Sequence, residues 1–250
     1  MIKNRHMKIV INADDFGKNP SVNEAISYAF DKGIINQTTA MATEVSFVDA
    51  MNIASKKGFI DKVGLHINLD EGYPLTDNIK NISDFCNSDG SFNRRFRQSI
   101  IKSSFFIDKT IKSCCVDELC AQMMRYLDNG GQLMHLDSHH HVHFKKSILD
   151  LLIPLARDMK FRSMRICPYY QKDGLIKTIY KKHINKIIRQ NFNTVDCFVG
   201  SYKDYQLLKV NQLLPSSFEV MLHPDIINGK YVDVLKKDLQ FVDLLNIKIL

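Results

Sequence analysis

The sequence predicts an α/β fold, a (β/α) barrel of about seven or eight mostly parallel strands in a single domain. Two observations predict it. Short apolar runs alternate with longer stretches whose apolar residues recur at helical spacing, the pattern of strands each followed by a helix. Ionisable residues recur at the C-terminal ends of the apolar runs, and in a barrel those ends converge on one mouth. An open nucleotide-binding sheet is disfavoured, because no Gly-rich phosphate loop follows the first strand. A chain of 250 residues can bury a sizeable core as one domain.

Met1 to His6 precede a second start at Met7, so they are set aside as an extension or cloning remnant and the domain is taken as 7–250. Lys8 to Ala13 is a mostly apolar run expected as a buried strand, ending at Asp14-Asp15-Phe16-Gly17. A helix follows from about Ser21, with Val22, Ala25, Ile26 and Ala29 on one face and Gly33 as its stop. Thr38 to Thr43 is a second strand, and Phe47 to Lys57 a second helix closed by Gly58. Val63 to Leu69 is a third strand, with His66 and Asn68 on one face. Residues 70–115 break the rhythm and form a long excursion of turns, a place where substrate loops and lids often lie. A helix from about Val116 to Asn129 ends at Gly130-Gly131.

The stretch Met134 to His143 is expected as the next strand. Alternation then puts His135, Asp137, His139, His141 and His143 on one face. It holds five of the nine histidines. Packing does not call for so many ionisable groups on one face, whereas imidazole is the commonest metal ligand and a neighbouring carboxylate can fix its tautomer. Lys146 to Met159 reads as a helix with a kink at Pro154, and Ser163 to Cys167 as a strand stopped by Pro168. Lys177 to Gln190 is a basic amphipathic helix whose lysines read as a solvated face. Val195 to Val199 and Phe218 to Leu222 are further strands, the second running into His223-Pro224-Asp225. A final helix near Val232 to Leu245 and a strand-like Ile247 to Leu250 complete the expectation.

Composition narrows the class. Hydrophobic residues make up 45% and charged residues 24% of the chain, as in ordinary globular proteins. The net charge of +7 is spread among 27 acids, so a nucleic-acid partner is not expected. No apolar run approaches a membrane span and no signal-peptide pattern opens the chain. The six cysteines have no paired spacing, which fits a reducing, cytoplasmic setting.

Four strand ends therefore carry the candidate chemistry: Asp14 and Asp15, His66, the His135–His143 run, and His223. Taken singly, Asp14 or Asp15 could be a helix cap, His66 a core histidine and His223 a loop residue. At four separate strand ends these readings together are improbable. Such a set can hold a divalent ion while another member acts as acid or base.

Three blocks, Asn12-Ala13-Asp14-Asp15-Phe16-Gly17, Gly64-Leu65-His66-Ile67-Asn68-Leu69 and His135-Leu136-Asp137-Ser138-His139-His140-His141-Val142-His143, resemble the signatures of the YdjC-like carbohydrate deacetylases. The likeness runs from about Lys8 to the C-terminus and takes in Glu71-Gly72-Tyr73-Pro74-Leu75, Asp89-Gly90-Ser91-Phe92 and His223-Pro224. It implies a distorted barrel and hydrolysis of an N-acetyl group from an amino sugar such as diacetylchitobiose, with a homodimer as the assembly. It further implies one divalent metal ion, Zn2+ or Mg2+, held by Asp15, His66 and His139. By the same resemblance Asp14 is the base, His223 the acid and Arg165 a group that orients base or substrate. Contacts to the ligands or the substrate are expected from Asn68, Asp137, His140, His141 and His143. Asp225 stands where Gly is expected and Thr43 where Asn is common, departures that touch substrate contacts more than the metal site. Two rivals remain: a metal-dependent phosphoesterase or nuclease, which would need a cluster of Arg and Lys at the mouth, and a non-catalytic metal- or sugar-binding protein, which would need neither Asp14 nor His223.

Overall fold

The computed structural model describes residues 8–99, 108–168 and 173–240. The N-terminal extension and the strand expected at 247–250 lie outside the described residues. Strand β1 (Lys8–Phe16) is followed by helix α1 (Pro20–Asp31), β2 (Gln37–Ala40), α2 (Phe47–Lys57) and β3 (Val63–Ile67). Then come α3 (Lys109–Asp128), β4 (His135–Ser138), α4 (Lys146–Asp158), β5 (Ser163–Met164), α5 (Leu175–Asn191), β6 (Cys197–Val199), α6 (Tyr202–Val210) and β7 (Ser217–Leu222). A smaller antiparallel sheet, β8 (Pro224–Ile227), β9 (Lys230–Asp233) and β10 (Lys236–Gln240), ends the described chain.

The seven parallel strands lie in the order β5-β4-β3-β2-β1-β7-β6. That is chain order taken around a ring, with β7 returning to pair with β1 along Lys8 to Ala13. The ring is nearly shut at its one break. Asn193, just ahead of β6, donates its N–H to the Arg162 carbonyl at 2.8 Å and accepts from Met164 N–H at 3.2 Å. The result is the expected distorted (β/α) barrel, a single α/β domain.

Local chemistry explains the elements. Helix α1 begins at Pro20 because the Asn19 side chain caps the Val22 N–H and proline suits the first helical position. It buries Val22, Ala25, Ile26 and Ala29, the face read from the sequence. Helix α2 stops at Gly58, which takes a left-handed φ of 76° at little steric cost. Gly64 lets β3 and β4 approach, since a Cβ there would stand 3.1 Å from the His135 carbonyl oxygen. Among the described residues no helix is long and apolar enough to cross a membrane.

Five expectations change. Helix α3 starts at Lys109, capped by the Asp108 carboxylate on the Ile111 N–H, so the excursion after β3 is shorter than 70–115. Strand β2 covers Gln37–Ala40, and Thr43 falls in the turn beyond it. The histidine run is a strand only to Ser138: His139–Phe144 form a 3-10 turn with His140 and His141 in left-handed conformations, so strand alternation ends there. Helix α6 was not expected, although Ser201 and Asp204 carry a capping signature and the Ser201 hydroxyl accepts the Asp204 N–H.

The fifth change replaces the start of the final helix, Val232–Gln240, with strands β9 and β10; its remaining residues lie outside the described chain. Asn228 and Gly229 both take positive φ, a hairpin turn that returns the chain so that Val232 and Asp233 pair with Asp225 and Pro224 as a strand. The hairpin is pinned to α1 by Tyr231 stacked on Tyr28 at 4.0 Å and by a 2.6 Å bond from the Ser21 hydroxyl to Asp225.

Gly131 offers a test of the packing under β3 and β4. A Cβ on it would lie 2.3 Å from the buried Tyr126 ring, whose hydroxyl sits 2.7 Å from the Val63 carbonyl oxygen. Gly131→Ala should therefore cost about 1–3 kcal/mol, as overpacking does, in urea unfolding. Wild-type stability would show that the ring yields freely.

Candidate active site

The C-terminal ends of β1, β3, β4 and β7 converge on a cleft of about 420 Å³ lined by Asp14, Asp15, His66, His139, His140, His141 and His223, a volume typical of small-molecule sites. A larger and more open cleft of about 530 Å³ lies at the other end of the barrel, lined by Arg157, Arg162 and Arg189. Among the described residues its lining has no carboxylate or histidine.

Adjacent carboxylates on a regular strand diverge, yet Asp14 and Asp15 both line the cleft. The pairing of β1 with β2 shifts register between Ala13 and Phe16, and Asp15 takes a φ of 72°. This local bulge, costly for a non-glycine residue, turns both side chains inward while sending them to different partners.

Asp14 faces Arg165. Nη1 donates to Asp14 Oδ2 and Nη2 to Asp14 Oδ1, each at 2.7 Å, the two-pronged geometry that suits guanidinium and carboxylate. The same Nη2 lies 2.7 Å from Asp137 Oδ2, and Nε donates to Glu219 Oε1 at 2.7 Å. Asn12 adds a 2.7 Å bond to Asp14 Oδ1. Burial opposes ionisation of Asp14, but the Arg165 charge outweighs it and holds the carboxyl below its ordinary range.

Asp15 faces the histidines. Its Oδ1 lies 2.9 Å from His139 Nδ1 and 3.3 Å from His66 Nε2. The other nitrogen of each ring meets a second carboxylate: His66 Nδ1 is 2.7 Å from Asp137 Oδ1, and His139 Nε2 is 2.8 Å from Glu71 Oε2. Burial would lower the pKa of both rings. Asp137 and Asp14 nevertheless raise His66 to about 10, and Asp15 and Glu71 raise His139 to about 9. The site thus draws positive charge to the space between Asp15, His66 and His139, whose donor atoms all lie within 4.8 Å of one another. Two imidazole nitrogens and a carboxylate oxygen fit a divalent cation, whose binding would displace those protons.

The other expected residues divide by environment. Asn68 does not line the cleft; its amide holds the next turn, donating to the Glu71 carbonyl at 2.6 Å. His140 pairs with Asp70 at 3.0 Å, and Asp70 also meets Arg97 Nε at 2.6 Å. His143 is fully buried beneath the cleft, bonded to the Ser138 hydroxyl and to the Arg165 carbonyl. His141 lines the cleft, but burial and the Arg165 charge push its pKa down to about 3, so its ring is neutral near pH 7. His223 also lines the cleft, and its Nδ1 has no hydrogen-bond partner among the described residues. Its backbone carbonyl accepts the Val234 N–H at 2.9 Å, just beyond β9, in the stretch where the sequence pattern predicts the start of the final helix.

Sequence reasoning passed over Glu219, Glu71, Asp70, Asn12 and Thr39 as site residues. Glu219 had a visible signal, an acid in the middle of the apolar run Phe218 to Leu222. Glu71 stood inside a quoted block without a role.

A family model described as YdjC-like protein matches residues 8–240. The chain belongs to the YdjC-like family. The resemblance carried by the three blocks is thereby established. A carbohydrate deacetylase of Clostridium beijerinckii is 26% identical over 236 residues, covering 90% of this chain and 84% of the relative. One from Geobacillus stearothermophilus is 33% identical over 192 residues, covering 71% and 73%. Among solved structures, a putative cellobiose-phosphate cleavage protein from Enterococcus faecalis V583 superposes with a TM-score of 0.69 at 24% identity, covering 94% of this chain and 85% of that one. That likeness is one of fold.

Glu219 supplies a pH test. Burial raises its pKa from 4.5 to about 7, with Arg165 opposing the shift. A raised carboxyl contributes stability in its neutral form, present below the unfolded value and lost as pH rises through the folded one. Glu219→Gln is neutral throughout, so its stability relative to wild type should rise by on the order of 1–3 kcal/mol between about pH 5 and pH 8. A pH-independent difference in denaturant titrations would show that Glu219 stays ionised against Arg165.

Proposed function

We propose that this YdjC-like chain is a metal-dependent carbohydrate deacetylase that hydrolyses the N-acetyl group of an amino sugar, such as diacetylchitobiose, and releases acetate. One observation carries the reading. A single cleft joins a donor set fit for a divalent cation, Asp15 with His66 and His139, to a carboxylate held ionised by Arg165 and to His223, just past the end of β7. The carbohydrate deacetylases to which the chain is similar support the choice of substrate.

A divalent cation bound there, zinc or magnesium, would polarise an amide carbonyl and make water more acidic. The protein's own residues supply the rest. Asp14, fixed by both Arg165 nitrogens, accepts the proton of the attacking water. His223 donates a proton to the departing amine. His141, whose pKa burial and the Arg165 charge push down to about 3, contributes wall and shape. Six free cysteines support a cytoplasmic setting.

The phosphoesterase reading fits less well. Among the described residues the Lys and Arg side chains lining the cleft are Lys18, 2.9 Å from Glu71, and Arg97, 2.6 Å from Asp70. Each already lies against a carboxylate that offsets its charge.

The deciding experiment measures acetate released from N,N'-diacetylchitobiose and related acetylated amino sugars, with added Zn2+ or Mg2+, beside hydrolysis of a phosphodiester. Acetate release alone is expected; phosphodiester cleavage without acetate would replace this reading by its rival. Asp14→Asn should keep its metal while turnover falls roughly 10²–10⁴-fold, and added metal should not rescue it.

His223→Ala should show a similar fall on the amide and a smaller one on an activated acyl ester, whose leaving group needs no proton. Equal losses on the two substrates would remove His223 from the acid role.

A further inference from the structure

The two histidines of the proposed cation site are built alike but supported differently. His66 rests on Asp137, which is wholly buried and tied to Arg165. His139 rests on Glu71, whose side chain is 33% exposed at the cleft mouth. Both carboxylate oxygens of Glu71 are committed, Oε2 to His139 Nε2 at 2.8 Å and Oε1 to Lys18 Nζ at 2.9 Å.

The chain around Glu71 is held just as firmly. Asn68 bonds its carbonyl through Nδ2 and accepts its N–H on Oδ1. Gln122 fixes Asn68 in turn, through bonds to its N–H and carbonyl at 2.9 and 2.7 Å. Gly72, with a φ of 70°, passes so near Glu44 that a Cβ would stand 2.7 Å from Oε1. This is a braced turn that delivers one carboxylate to one imidazole.

We propose that Glu71 is a positioning residue for the cation site, and that Lys18 holds it in place. By accepting the Nε2–H of His139, Glu71 sets the tautomer that leaves Nδ1 as the electron-pair donor, the nitrogen already beside Asp15 Oδ1. Of the two supporting carboxylates, Glu71 is the one that meets solvent at the cleft mouth, and Asp137 is the one buried in the barrel. The inference rests on the cation-binding part of the proposed function and needs no particular substrate.

The test strips the protein of metal and titrates Zn2+ against a competing chelator for wild type, Glu71→Ala, Glu71→Gln and Lys18→Met. Glu71→Ala should bind Zn2+ roughly 10–100-fold more weakly, the usual effect of losing a group that orients a ligand. Glu71→Gln keeps a hydrogen-bond acceptor and should lose less, as should Lys18→Met. The metal-free Tm should match wild type, and the absorption spectrum of the Co2+-loaded protein should change in Glu71→Ala. Wild-type affinity and spectrum in Glu71→Ala would overturn the proposal while leaving the deacetylase reading intact. A fall in metal-free Tm that accounts for the weaker binding would overturn it in favour of a structural role. If wild type binds Zn2+ with the expected variant pattern but releases no acetate from any acetylated sugar, the deacetylase reading falls and this inference stands. Wild type that binds no divalent cation overturns both.

Discussion

The structure depends on one buried guanidinium. Arg165 is fully enclosed in the barrel and meets carboxylates from three strands, Asp14 on β1, Asp137 on β4 and Glu219 on β7. The Phe198 ring of β6 lies 4.7 Å from its charge. An isolated charge in such a place would cost several kcal/mol, and removing one partner of a buried pair leaves the other uncompensated. The strands are therefore held in the register that brings these groups together. Asp14, the proposed base, and Asp137, which supports His66, share a single counter-ion.

That charge arrangement divides the site's labour. Asp14 and Asp137 outnumber the single guanidinium charge they share, and with Asp15 and Glu71 they draw protons onto His66 and His139. Two strained pieces of backbone make the division geometric. The bulge at Asp15 turns adjacent carboxylates to different partners, and the left-handed pair His140-His141 breaks the strand so that successive histidines diverge. His139 then reaches Asp15, His140 reaches Asp70, and His143 drops beneath the floor to brace the Arg165 backbone. Strain of this kind persists where surrounding bonds over-determine it.

The periphery completes the cleft. The hairpin after β7 covers α1 through Tyr231 and Asp225, and its Val234 and Leu235 form one wall beside His223. The turn after β3 forms the opposite wall with Glu71. Two segments with no regular place in a barrel thus set the shape of the cavity, while the strands set its chemistry.

The sequence by itself determined the alternation of strand and helix, the barrel class and the strand ends that bear Asp14, Asp15, His66, His139 and His223. These follow from local periodicity and from residue type, which a single chain displays directly. The Asn228-Gly229 turn and the Ser201 cap were also written locally, but the apolar spacing from Val232 onward is equally compatible with a helix, and the cap stands in a weakly patterned stretch. Only the tertiary structure decided which carboxylate each histidine meets. Glu71 lies 68 residues from His139 along the chain and Glu219 54 from Arg165, so no spacing rule connects them. The direction of each histidine after Ser138 was equally beyond the sequence, because it depends on backbone strain that distant partners sustain.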